Sequence, residues 1–202
     1  MPPAIAQPDA ALLAPDNHLL VLLDHQAQPA LATRSIDAIT LRDNLALLAK
    51  AAWQFEVPTL LSSLDAPAFA GELLEELTAV FPEQPVLRRR TLNAWEDAPF
   101  IERVNASGQR RLVLAGLWTS VSITATALSA LGQGFAVYLV VDAGGDVSPL
   151  AQETALQRLL QRGVQPLTSL QYLLELQRDW SRTATAARVL EIARTHGGPL
   201  GL

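Results

Sequence analysis

The chain of 202 residues contains no cysteine. Disulfides, thiolate metal sites and thiol catalysis are excluded together. Aromatic residues make up only 5% of the chain, although half of it is hydrophobic, mainly alanine and leucine. That balance favours helices packed on a sheet. A basic stripe is also missing: 15 Lys and Arg face 20 Asp and Glu, for a formal charge of −5. The single basic run, Arg88–Arg90, is too short to neutralise a phosphate backbone, so no nucleic-acid partner is expected. No stretch of about 18 uninterrupted apolar residues occurs, so no membrane span is expected. The N-terminus, MPPAIAQPDAALLAPDN, lacks the basic n-region of a secretion signal, and the expected location is cytoplasmic. The three histidines, His18, His25 and His196, do not pair at ligand spacing, and no metal is expected. Gly132, Gly134, Gly144 and Gly145 form no phosphate-binding fingerprint, so no cofactor is implied.

The length suits one domain with one sizeable core. A Pro- and Ala-rich arm over 1–15, a body over 16–196 and a tail over 197–202 divide the chain, with no internal repeat. Short apolar runs alternate with helical patterns. Strands are read at Leu19–Leu23, Pro58–Leu61, Val86–Leu87, Leu112–Ala115, Ala136–Val141 and Gln165–Leu167. Helices are read at Ile36–Phe55, Gly71–Val80, Pro99–Ala106, Pro149–Gln161, Leu170–Leu176 and Thr183–Thr195, with another between the fourth and fifth strands. Alternation of this kind builds βαβ units. The expected fold class is α/β: a three-layer α/β/α sandwich on a mostly parallel six-stranded sheet, Rossmann-like in plan.

In such sheets ligands gather beyond the C-terminal ends of the strands. Asp24 follows the first strand, Arg88 the third, and Ser122 the fourth. Three polar groups remote in sequence are thus expected at one sheet edge. The cluster Thr119, Ser120 and Ser122 also stands where a helix begins, and helix starts leave backbone N–H groups unpaired. His25 neighbours Asp24 but should point to the opposite face, so the residues support no Ser–His–Asp triad.

Four stretches, LLVLLDHQ (19–26), LRRRTLNAWED (87–97), AGLWTSVS with ALSALGQGFAVYLVVDAGG (115–145) and ELQRDW (175–180), resemble the isochorismatase-like cysteine hydrolases over about residues 15–182. The likeness is greatest to a small bacterial branch whose motif ends Thr-Glu-Val-Cys. Where that branch carries its nucleophile, this chain has Ser122. The resemblance implies Asp24 as general acid/base and Arg88 as the catalytic cation. It implies a cis bond at Leu117–Trp118 that aims the N–H groups of Val121 and Ser122 into the site as an oxyanion hole. Gln26, Asn93, Trp95 and Thr119 are candidate pocket residues. For Gln26 bracing of the nearby loop is the alternative, and for Trp95 and Trp118 packing in the core or at a subunit contact. SSLDAPAF (62–69) has Asp65 but lacks the histidine that metal-binding relatives place nearby.

A serine hydroxyl is far less acidic than a thiol and needs a positioned base. The expected protein is therefore hydrolase-like, with an altered site and weak or no amidase activity. Three alternatives stand beside it: a binding or scaffold oligomer without turnover, a vinyl-ether hydrolase that needs no nucleophile, and a slow serine hydrolase. The partners expected are a small-molecule ligand and further copies of the chain, as a tetramer or octamer.

Overall fold

The computed structural model describes residues 9–66 and 71–197. The beginning of the arm, the stretch 67–70 and the end of the tail lie outside the described residues. Six strands form one sheet in the order β3-β2-β1-β4-β5-β6, and every neighbouring pair is parallel. They are β1 (Leu19–Leu23), β2 (Thr59–Leu64), β3 (Val86–Arg89), β4 (Arg111–Gly116), β5 (Ala136–Val140) and β6 (Gln165–Leu167). The order reverses between β1 and β4, and the crevice of a doubly wound sheet opens at that point.

β1 reads LLVLL because both its faces are covered, as in central parallel strands. Leu20 and Leu22 enter one core layer, while Leu19, Val21 and Leu23 enter the other. The first layer is closed by α2 (Ala38–Gln54), α7 (Ser169–Gln177) and α8 (Thr183–His196). The second is closed by α4 (Ala98–Ala106), α5 (Thr124–Gly132) and α6 (Pro149–Gln161). The helix starts follow their capping residues. The Asp37 carboxylate accepts from the N–H groups of Ile39 and Thr40, and the Ser148 hydroxyl accepts from Ala151 with Pro149 in the first turn.

Two differences from the sequence reading bear on the site. The helix expected over Gly71–Val80 shrinks to α3 (Glu75–Thr78). Gly71 sits at φ +109°, and residues 72–74 run extended against the loop after β1. There the Ala27 N–H meets the Glu72 carbonyl and the Leu74 N–H meets that of His25. Tertiary pairing has displaced the local helical pattern. The second difference is at β3, which runs on through Arg88 and Arg89. A short helix α1 (Ala27–Ala32), which the sequence reading lacks, follows β1.

The described part of the arm is docked. Leu13 is fully buried, its N–H bonds Glu175 Oε1, and the Tyr138 hydroxyl donates to the Ala11 carbonyl.

Candidate functional site

β1 ends at Leu23, and the chain turns at Asp24 with φ +58°. That left-handed backbone is uncommon outside glycine and is tolerated best by Asn and Asp. The turn is fixed on both sides: the Asp24 N–H donates to the Ser62 carbonyl at 2.9 Å, and its own carbonyl accepts from Gln26. The carboxylate meets a guanidinium in a two-point pair. Arg89 Nη1 lies 2.6 Å from Oδ1 and Nη2 lies 2.6 Å from Oδ2. Both side chains are completely buried. Nη1 also donates to Ser62 Oγ at 3.2 Å, and that hydroxyl donates onward to the Leu87 carbonyl at 2.9 Å. Ser62 thus holds the guanidinium against β2.

This pairing corrects the sequence reading, which placed Arg88 here. Successive side chains of a strand point to opposite faces. With β3 extended by two residues, Arg89 turns toward Asp24 and Arg88 turns away. Arg88 is exposed. It lines a groove of about 760 Å³ shared with Ser63, Asp65, Glu72 and Arg90.

The strand β4 ends at Gly116 against β1, where Leu23 and Gly116 are register partners. A Cβ at Gly116 would stand 2.3 Å from the Leu23 carbonyl oxygen. Only glycine allows β4 to lie so close to the turn bearing Asp24. The Leu117–Trp118 peptide bond is cis. Thr119–Ile123 then forms a π-helical turn leading into α5, with the Ile123 N–H reaching back to the Trp118 carbonyl at 3.5 Å. Turns of this type carry one residue more than an α-helix and recur at functional sites.

Ser122 sits in this turn, fully buried, and its Oγ has no hydrogen-bond partner among the described residues. Its neighbours are committed. The Thr119 N–H donates to the Gly145 carbonyl at 3.1 Å and the Val121 N–H to the Trp118 carbonyl at 3.1 Å. Val121 is therefore not the free oxyanion donor expected from the sequence. The Ser120 N–H donates to Asp146 Oδ2 at 2.6 Å.

Asp146 had no place in the sequence reading. It is fully buried, takes the Val147 N–H on Oδ1 at 2.8 Å, and receives the N–H groups of Arg34 and Ser35 on its carbonyl. One residue ties the loop after α1, the loop after β5 and the turn bearing Ser122. Its signal was local: a carboxylate two residues before the Ser148–Pro149 helix start, with a reach invisible until the fold is known.

The other candidates divide. Gln26 braces, as its alternative reading had it: its amide bonds the N–H and carbonyl of Leu64 and the carbonyl of Gly71. Asn93 is a cap rather than a pocket residue, accepting from the Trp95 N–H and donating to Glu96 and Ser129. Trp95 packs edge-on against Phe100 and Phe135, with ring centroids 6.0 and 5.1 Å away, inside the second core layer. The Trp118 indole N–H donates to the Pro29 carbonyl and Thr33 Oγ1, pinning α1 to the cis turn. Thr119 is buried beside Gly145.

His25 provides no relay. It donates through Nε2 to the Ala143 carbonyl at 2.8 Å, and burial lowers its pKa to about 4. The ring makes no recorded hydrogen bond to Ser122 or Asp24, and its Nδ1 is buried without a partner among the described residues. Among the described residues no group of three or more metal-binding side chains gathers. No helix there is long and apolar enough to cross a membrane.

A six-stranded parallel sheet flanked by helices, its order reversing between β1 and β4, defines a doubly wound α/β protein of Rossmann-like plan. The particular family follows from comparison: the isochorismatase domain model matches residues 18–171, and the chain belongs to the isochorismatase family. It is 36% identical over 162 residues to the probable hydrolase YcaC of Escherichia coli K12, spanning 80% of this chain and 78% of that protein. The crystal structure of the E. coli YcaC gene product, an octameric hydrolase of unknown specificity, superposes with a TM-score of 0.89 at 31% identity, covering 96% of this chain and 95% of that one. YcaC from Pseudomonas aeruginosa, solved with hexane-2,5-diol and covalent acrylamide, gives 0.88 at 30% identity, covering 96% of each chain.

Proposed function

We propose that the chain is a YcaC-like hydrolase with an altered site, in which Asp24 is the acid/base group, Arg89 its counter-ion and Ser122 the residue in the nucleophile's place. The observation that carries the reading is the buried two-point pair of Asp24 and Arg89, with Asp24 just past the end of β1, the strand paired with β4, whose following turn holds Ser122. The guanidinium stays charged in a dry site and fixes the carboxylate in one orientation.

The same geometry argues for weak or absent amidase chemistry. Attack by a hydroxyl needs a base that removes its proton. Both Asp24 oxygens are engaged by Arg89, and His25 is turned to Ala143. A second reading, a small-molecule-binding oligomer without turnover, draws on that lack of a base. Changing Ser122→Cys separates the two readings against a panel of amides and carbamoyl compounds. If wild type turns over a substrate and Asp24→Asn lowers that turnover a hundredfold or more, the hydrolase reading stands. If wild type is inert and Ser122→Cys gains activity, the binding reading stands. An Asp24→Asn variant as active as wild type would refute the role given to Asp24.

Assembly into a homo-oligomer belongs to this reading. The E. coli relative is octameric, and Leu31, Trp53, Leu150 and Trp180 expose large apolar side chains here. Light scattering should report a species several times the 21.8 kDa chain, and a monomer at micromolar concentration would refute it.

A further inference from the structure

Lys50 is the chain's only lysine. It stands on α2, and its Nζ lies 2.6 Å from Nε2 of His196, the last residue of α8. The other ring nitrogen, Nδ1, lies 3.4 Å from Asp43 Oδ1. Asp43 and Lys50 are two turns apart on α2 and so share one face of that helix. The imidazole spans the gap between them.

Hydrogen-bond chemistry decides where the protons sit. A lysine ammonium has three donors and no acceptor. Nε2 of His196 must therefore accept, which leaves the ring neutral with its proton on Nδ1, donating to Asp43. Among the described residues no carboxylate is recorded in an ion pair with Lys50. A carboxylate neighbour only holds a proton on an ammonium, whereas a neutral imidazole can take one away. An amine beside a base that a carboxylate orients has the parts of an activated nucleophile. The place is reachable: Lys50 is partly exposed, and the side chains of His196 and Asp43 are 12% and 50% exposed. It is also separate from the Ser122 turn. α2 and α8 close the first core layer, while that turn leads into α5 in the second.

We propose that Lys50 is a modification site, acylated on its ε-amino group by small activated acyl donors, acyl phosphates or acyl thioesters. His196 is the base, and Asp43 is the residue that positions it. The ammonium gives one proton to Nε2, and the freed lone pair attacks the acyl carbon. An N–C bond forms, the bond from that carbon to the phosphate oxygen or thiolate sulfur breaks, and the second nitrogen proton leaves with the departing group. The product is a neutral amide with one N–H, so acylation removes the charge and two of the three donors that Lys50 brings to α8.

Acetyl phosphate and S-acetyl-N-acetylcysteamine are the probes, applied to the full chain at pH 7.5, with Nα-acetyl-lysine amide as the reference amine. Peptide mass mapping reads the rate at Lys50. With one probe or both, the expected rate is about tenfold or more above the reference, and the probe that shows it identifies the donor. His196→Gln is the decisive variant, because a glutamine amide can still accept from Lys50 but cannot take its proton. It should bring the rate to within about threefold of the reference. A wild-type rate equal to the reference with both probes overturns the proposal. So does a rate that His196→Gln leaves unchanged, since the imidazole would then only clasp α8 to α2. If His196→Gln does not fold, the wild-type rate in denaturing urea decides. An enhancement that disappears on unfolding supports the proposal, and one that survives overturns it.

Discussion

At the scale of single residues the decisive contrast is between two neighbouring arginines. Arg89 is buried and holds Asp24 at two points; Arg88 is exposed. Removing one partner of a buried pair leaves the other charge without compensation, a loss of about 3–5 kcal/mol. Arg89→Met should therefore lower unfolding stability by that amount, while Arg88→Met should change it by less than about 0.5 kcal/mol. Urea denaturation of the two variants measures both, and equal effects would refute the assignment. The sequence carried Asp24 directly after the apolar run that ends β1, and Ser122 in the hydroxylated turn that follows β4. It did not carry the choice of arginine, because three stand in a row and the selection rests on strand parity. A strand read as ending at Leu87 points the wrong one inward. The roles of Asp146 and Ser62 were hidden for a different reason: each acts through contacts with segments more than twenty residues away.

At the scale of elements, the close approach of β1 and β4 is bought by one missing side chain. A methyl group at Gly116 would collide with the backbone oxygen of Leu23 at 2.3 Å and with Ile123 Cδ1 at 2.9 Å. The backbone oxygen cannot rotate away, so Gly116→Ala should force the strands apart. A loss of several kcal/mol or failure to fold is the expected outcome. Gly132, at the end of α5, meets nothing within 4 Å. Gly132→Ala should be neutral or stabilise by up to about 1 kcal/mol, through helix propensity and a less flexible unfolded chain. Thermal melting of the pair tests the argument, and a Gly116→Ala protein as stable as wild type would defeat it. Elements with strong local punctuation were legible: Pro149–Gln161 begins at a Ser-Pro cap and ends before a glycine at φ +88°. Elements decided by distant pairing were not. Residues 72–74 have a helical pattern but lie extended against the loop after β1. The π-helical turn has no sequence signal beyond a cluster of small hydroxylated residues.

At the scale of the whole molecule, the two buried histidines couple folding to acid. His18 lies under the first core layer, its Nδ1–H donating to the Ala14 carbonyl and its Nε2 accepting from the Tyr172 hydroxyl at 2.8 Å. His25 lies beyond β1 with its Nε2–H on Ala143. Burial lowers each pKa from 6.5 to about 4. A histidine depressed in the folded state is neutral there while its unfolded counterpart takes up a proton. Its contribution to stability is therefore full above pH 6.5 and is lost as the pH falls from there toward 4. The slope is on the order of 1.4 kcal/mol per pH unit for each imidazole. Urea unfolding at pH 7.5, 6.0 and 5.0 should thus show a steep fall in stability within the histidine window. Replacing both residues, His18→Asn with His25→Asn, should flatten that fall even if it lowers stability at pH 7.5. A fall of the same steepness in the double variant would mean that other groups drive the acid response, and that the two imidazoles are not the neutral core residues their hydrogen bonds describe.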